Sequence, residues 1–185
     1  MKKLILSLFA LLPLLATAQS FTLTPNGFVN ADDPTKTFIV VEMEGTQAEL
    51  FNRAKTAITS MWNSPKDVLS FNEPDIVIVN GNASDLMSIK KIFTTYYDVP
   101  YRLQLMFKNG KVRIDAPQAE KGYNIEKRSA VYLGQGKNHG ADFYIFNEKG
   151  ELKEAKNKAA VEAYFNGLTA SLIDKMRNGA ASDDW

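Results

Sequence analysis

The 185-residue chain carries 22 basic and 21 acidic residues, one histidine and no cysteine. A balance so near neutrality lacks the basic field that a phosphate backbone draws on, so no nucleic-acid partner is expected. Without cysteine there is no disulfide, thiol nucleophile or thiolate metal site, and packing alone has to hold the fold.

Residues 1–18 have the build of a secretory signal: Met1-Lys2-Lys3, an apolar run from Leu4 to Leu15, and Ala16-Thr17-Ala18 as a small-x-small cleavage site. The run is broken by Pro13 and is too short to span a bilayer, which needs about 20 residues of helix. The expectation is therefore an exported chain, periplasmic or secreted after cleavage near Ala18, and not an integral membrane protein. Removal of Lys2 and Lys3 with the signal leaves 20 basic against 21 acidic residues.

Residues 19–36 contain Pro25-Asn26-Gly27 and Asp32-Asp33-Pro34 and read as an irregular leader. Thr37 to Val41, β-branched or aromatic almost throughout, predicts the first strand. Thr46 and Glu49 form a capping box ahead of a helix from Gln47 to about Trp62. Its apolar face is Leu50, Ala54, Ala57 or Ile58, and Met61, and Pro65 ends it. Val68 to Phe71 and Ile76 to Val79 predict a hairpin through Asn72-Glu73-Pro74-Asp75. Residues 84–97 stay ambiguous, since Ile92 to Tyr97 favours strand while Ser84 would cap a short helix.

Tyr101 to Asp115 carries the sharpest local signal. Asn109-Gly110 supplies the positive φ angles of a two-residue turn, and the resulting register sets Phe107 opposite Val112 and Leu105 opposite Ile114 on one side. Met106 faces Arg113 and Gln104 faces Asp115 on the other. Residues 116–140 are polar and glycine-bearing and read mostly as a long surface loop or edge excursion. Phe143 to Phe146 predicts a strand, Glu148-Lys149-Gly150 a turn, and Val161, Phe165, Leu168, Leu172 and Met176 one stripe of a helix from about Ala155 to Arg177. Gly179 stands where a C-terminal cap would fall, and 180–185 reads as a flexible tail. The order implies one α+β domain over residues 37–179, with both helices on one face of an antiparallel sheet.

The signal peptide, the capped helix ending in Met61-Trp62, the hairpin Phe107-Lys108-Asn109-Gly110-Lys111-Val112-Arg113 and the final helix with an acidic tail closing on Trp185 resemble a known family. This is an exported bacterial domain of unknown function with a TATA-binding-protein-like (TBP-like) fold. The resemblance implies a curved antiparallel sheet carrying two helices on one face. It implies no catalytic residue, and the name describes a shape, not DNA binding.

No motif for chemistry stands out, and no catalytic residue, metal or cofactor is expected. His139 lies in Gly134-Gln135-Gly136-Lys137-Asn138-His139-Gly140 and reads as an exposed loop residue. A histidine metal site usually takes two or more, and Asn138 occupies the place where a phosphate loop needs Ser or Thr. Glu42 with Glu44, and Asp183 with Asp184, read as solvated neighbours. The informative feature is surplus apolar strand surface: Phe38 to Val41, Ile76 to Val79 and Phe143 to Phe146 are apolar at successive positions, so something should cover the second face of the sheet. Either residues 19–36 or 116–140 fold across it, or it binds a partner or a second copy. Gln104, Met106 and Arg113 are the candidate protein-binding residues. The sequence thus suggests a non-catalytic binding or adaptor module acting through its sheet face or an edge strand. The alternative is a small envelope hydrolase or ligand-binding enzyme with a site near residues 116–140.

Overall fold

A computed structural model describes residues 19–62, 64, 68–136 and 140–179. The chain runs β1 (Phe21–Thr24), β2 (Gly27–Asn30), β3 (Phe38–Glu42), α1 (Gln47–Met61), β4 (Leu69–Asn72), β5 (Ile76–Lys90), β6 (Thr94–Lys108), β7 (Lys111–Asp115), β8 (Lys121–Asn124), β9 (Ser129–Gln135), β10 (Phe143–Phe146) and α2 (Ala155–Asn178).

The spine is the β5–β6 hairpin, two strands of 15 residues each. The far edge of β6 is shared. Near its C-terminal end it pairs with β7, from Leu105↔Ile114 to Lys108↔Lys111, and near its N-terminal end with β8, at Asp98↔Tyr123. An isolated Arg102↔Gln118 bridge lies between these partners. Outside them, β3 pairs with β7, β4 with β5, and β9 with β8; all are antiparallel, and only the β9–β10 pair among the described strands is parallel.

Strand alternation selects the inner face. Val77, Val79, Val99, Leu103, Leu105 and Phe107 are buried, and both helices pack on this side and against each other. Phe51 of α1 meets Phe107 edge-on at 5.7 Å between ring centres, and Phe165 of α2 meets Tyr101 at 5.2 Å. The helical stripes are those expected. Leu50, Ala54, Ala57 and Ile58 are buried on α1, as are Val161, Phe165, Leu172 and Met176 on α2, with Leu168 packed at its margin.

The capping box forms as read from the sequence. Thr46 Oγ1 accepts from Glu49 N–H at 3.3 Å, while Glu49 Oε2 accepts from Thr46 N–H at 2.7 Å and from the Thr46 hydroxyl at 3.0 Å, two bonds that hold the Glu49 carboxyl below its usual value. The Asn109-Gly110 turn has a second duty: Asn109 Oδ1 accepts from Gln47 N–H at 2.9 Å, so the hairpin turn also caps α1. Gly110 takes φ +78° in that turn.

One expectation is corrected and two open readings are resolved. Residues 19–36 are not wholly irregular, because β1 and β2 form a hairpin through Thr24-Pro25-Asn26-Gly27. It docks on α2, with Phe28 against Phe165 at 5.3 Å. Residues 116–140 take the form of the edge excursion instead of one long loop, because β8 and β9 extend the sheet beyond β6. Residues 84–97 are not helical: Ser84 caps nothing, and β5 continues through a bulge between Ala83 and Met87, where Asp85 takes φ 54° and donates its N–H to Asp98 Oδ1 at 2.8 Å. Gly179 ends α2 in right-handed geometry, φ −65°, so the left-handed freedom of glycine is not used there. Residues 1–18 (expected to be a signal), Pro65, Lys137, His139 and residues 180–185, Trp185 among them, lie outside the described residues.

A candidate binding face opposite the helices

The hairpin register places Gln104, Met106 and Arg113 together on the outer face. Across the strands one row runs Val40, Arg113, Met106, Ile76, and the next runs Phe38, Asp115, Gln104, Ile78. The apolar members are half-buried by their cross-strand neighbours. Among the described residues, no helix packs over these rows: α1, α2 and the β1–β2 hairpin lie on the inner side, and β8–β9 continues the sheet instead of folding back.

Polar groups on this face are held by one another. Arg113 Nε donates to Asp115 Oδ1 at 2.6 Å, and Gln104 Nε2 donates to Asp115 Oδ2 at 3.0 Å. The Arg113 guanidinium also lies 4.0 Å from the centre of the Phe38 ring, a geometry in which the cation meets the negative face of the aromatic. Asp115 therefore orients two long side chains, and Phe38 fixes a third contact.

Beside these rows a concavity of about 1490 Å³ opens through the sheet margin, bordered by Arg102, Asp115, Gln118, Glu120 and Tyr132 and, from the other side, by Pro25 to Phe28 of the β1–β2 hairpin. It lies where β7 and β8 part company along β6, a feature invisible to any local periodicity. Burial, and then the negative charge of Glu120, raise the Tyr132 phenol above its usual value. Asp115 and Glu120 are the carboxylates of this lining, and the first is committed to Arg113 and Gln104. Glu42 and Glu44 are exposed, with Glu42 paired across the strands to Lys111 and the Glu44 carbonyl accepting from Arg53.

The strand edges beside this face are closed by side-chain amides. At β3, Asn30 Nδ2 donates to Phe38 O at 3.2 Å, and Gln19 Oε1 accepts from Val40 N–H at 3.0 Å. Where β5 runs past the end of β4, Asn157 of α2 takes both backbone groups of Ser88. These amides supply the donors and acceptors that an added strand would offer, and so blunt edge-to-edge pairing.

Among the described residues no helix is long and apolar enough to cross a membrane. No protein-family model matches the chain, and no curated protein matches it. Among solved structures it is similar to a TBP-like protein from Parabacteroides distasonis, with a TM-score of 0.55 and 16% identity over 76% of this chain and 91% of the other. It is also similar to a DUF4468 family protein from Bacteroides ovatus, with a TM-score of 0.43 and 11% identity over 75% and 85% of the two chains. At the first of these likenesses the shared property is shape, and with two helices on one side of an open, mostly antiparallel sheet the chain has a TBP-like α+β fold.

Proposed function

We propose that this chain is an exported, non-catalytic binding module that holds a polypeptide partner on the sheet face opposite its helices. The observation that carries this reading is the uncovered pair of rows Val40, Met106, Ile76 and Phe38, Ile78, interleaved with the oriented polar groups of Arg113, Asp115 and Gln104. Apolar strips give area, and fixed polar groups between them give register, the combination found in interface centres. The amide caps on β3 and β5 favour the face over an edge strand as the place of contact. Export rests on the signal-like residues 1–18.

The alternative of a ligand-binding enzyme near residues 116–140 draws support from the concavity bordered by Glu120 and Tyr132. A hydrolytic site of the glycosidase kind needs two available carboxylates, and the engagement of Asp115 favours ligand binding over hydrolysis there.

The test is a photo-reactive residue at Met106, with one at exposed Lys175 on α2 as reference, in the chain expressed in its own cells. A discrete adduct of one partner at Met106 and not at Lys175, lost on Arg113→Glu, supports the reading. Equal adducts at both positions, or none at Met106, would overturn it.

A further inference from the structure

Among the described residues, the most exposed large apolar side chains lie together at one end of the sheet. Ile92 (90% exposed) and Phe93 (77%) occupy the turn between β5 and β6, and Ile125 (87%) the turn between β8 and β9. The register makes the two turns neighbours: Asp98 pairs with Tyr123, so the antiparallel β8 continues alongside Tyr96. Two hydrogen bonds fasten them, Asn124 Nδ2 to Tyr96 O at 2.9 Å and Lys127 Nζ to Thr95 Oγ1 at 2.7 Å. Tyr96 is itself half-exposed between the turns.

Folding does not ask for these residues. Turn tips are made by Gly, Asn, Asp, Pro and Ser, whose backbone preferences or side-chain hydrogen bonds shape the bend, whereas Ile92, Phe93 and Ile125 project away from the core. The turns themselves are basic, and the nearby carboxylates of Asp98 and Asp142 already accept from Asp85 N–H and Ala130 N–H. Lys90, Lys91, Lys127 and Arg128 are all exposed, against the single acid Glu126 in the two turns. Lys91 Nζ lies 4.6 Å from the centre of the Phe143 ring, and none of the four cations enters an ion pair among the described residues.

We propose that this end of the molecule docks on an anionic lipid surface, with Ile92, Phe93 and Ile125 entering the headgroup layer and the four cations meeting lipid phosphates. Apolar tips ringed by Lys and Arg are what such a surface selects, since insertion and charge attraction act at the same depth. A protein partner is less well matched, because a stable interface takes about 800 Å² of complementary surface per side and two narrow turns present points instead of a plane.

The chain contains no cysteine, so Ile92→Cys or Ile125→Cys carries a single environment-sensitive fluorophore in the full-length chain. Lys108→Cys, at the opposite end of β6, is the reference. With vesicles containing phosphatidylglycerol, the labels at 92 and 125 shift to the blue and the label at 108 does not. The shift disappears with pure phosphatidylcholine and falls steeply as salt rises. The reading is positional, so membrane affinity of residues 1–18 would not imitate it. With the label at 125, Lys90→Glu with Lys91→Glu lowers the vesicle-bound fraction about tenfold or more. Equal shifts at 92 and 108, no shift at 92 and 125, or binding indifferent to the charge reversals would overturn the proposal. A shift that grows with protein concentration in the absence of vesicles would overturn it in favour of a second copy.

Discussion

Asn157 and Ser88, 69 residues apart, pair as though they stood on neighbouring strands: Asn157 Oδ1 accepts from Ser88 N–H at 2.9 Å and its Nδ2 donates to Ser88 O at 3.1 Å. Asn166 does the same for Phe21, accepting its N–H at 2.8 Å and donating to its carbonyl at 2.9 Å. The two asparagines are nine residues apart, two and a half helical turns, which puts them on opposite flanks of α2. One helix thereby stitches the edge of β5 to the β1–β2 hairpin using side-chain amides in place of strand partners.

Asn157→Leu, close in size, leaves both Ser88 backbone groups without their partner. Asn157 is 1% exposed, so water does not easily replace it. The expected loss is about 2–4 kcal/mol in denaturant unfolding, most of it the cost of unsatisfied groups. Asn166→Leu is expected to act locally, raising hydrogen exchange at Phe21 and Leu23 while the protection of β5 and β6 holds.

The acid stability of the β1 attachment centres on Glu162. Burial raises its pKa, but Lys158 Nζ at 2.5 Å, Leu23 N–H at 2.7 Å and Thr22 Oγ1 at 2.7 Å outweigh it, and the net shift is downward from 4.5. A carboxyl lowered in the folded state contributes stability that is present above its unfolded pKa and lost as pH falls through the folded one. The melting temperature of the wild type should therefore fall more steeply below about pH 4.5 than that of Glu162→Gln, whose curve starts lower and is flatter. Parallel curves would remove Glu162 from the acid response.

Gly81 is a position where a side chain is excluded. A Cβ there would collide with the phenol end of Tyr101, its cross-strand partner, meeting Cζ and the hydroxyl oxygen first and lying 2.8 Å from Cε1, and Tyr101 is buried beside Phe165 and Tyr164. An aromatic laid over a strand glycine restores the packing that the missing side chain would have supplied. Gly81→Ala is expected to cost about 1–3 kcal/mol by overpacking, and Gly81→Ala with Tyr101→Ala less than the sum of the two alone. Gly122→Ala meets the terminal methyl of Met87, a flexible group that can swing aside, and should cost less. Urea midpoints of the four variants check the order.

Those same residues explain what was legible in the sequence and what was not. The capping box, the Asn109-Gly110 hairpin, its register and both helical stripes follow from local rules, and the outer set Gln104, Met106, Arg113 follows from that register. The length of β5 does not. Asn80, Gly81, Asn82, Ser84 and Asp85 are turn formers one by one, and they remain in strand because residues 13 and 20 positions away on β6 compensate: Asp98 accepts the Asp85 N–H at the bulge, and Tyr101 covers Gly81. Pro100 conceals β6 in the same manner. Arg102 N–H points to Gln118, so the N–H that Pro100 lacks falls on the same edge, where β7 and β8 diverge and no continuous partner waits for it. The concavity arises at that divergence, which is why no motif announces it.

The outer face separates binding from stability. Arg113 is partly exposed, its ion pair with Asp115 is of the surface kind, and its contact with Phe38 is shared with solvent. Arg113→Ala is therefore expected to change unfolding free energy by about 1 kcal/mol or less. Met106→Ser likewise removes a half-buried group with no core contact, and should also stay within about 1 kcal/mol. Ile114→Ala, one residue from Arg113 but fully buried on the inner face, should cost about 2–5 kcal/mol. If the outer face binds a partner, adduct formation at position 106 should be lost in Arg113→Glu while its melting temperature stays near that of the wild type. A conservative Ile114→Val, still folded, should form the adduct normally. A loss of adduct that tracks stability across all these variants would mean that the face only reports folding.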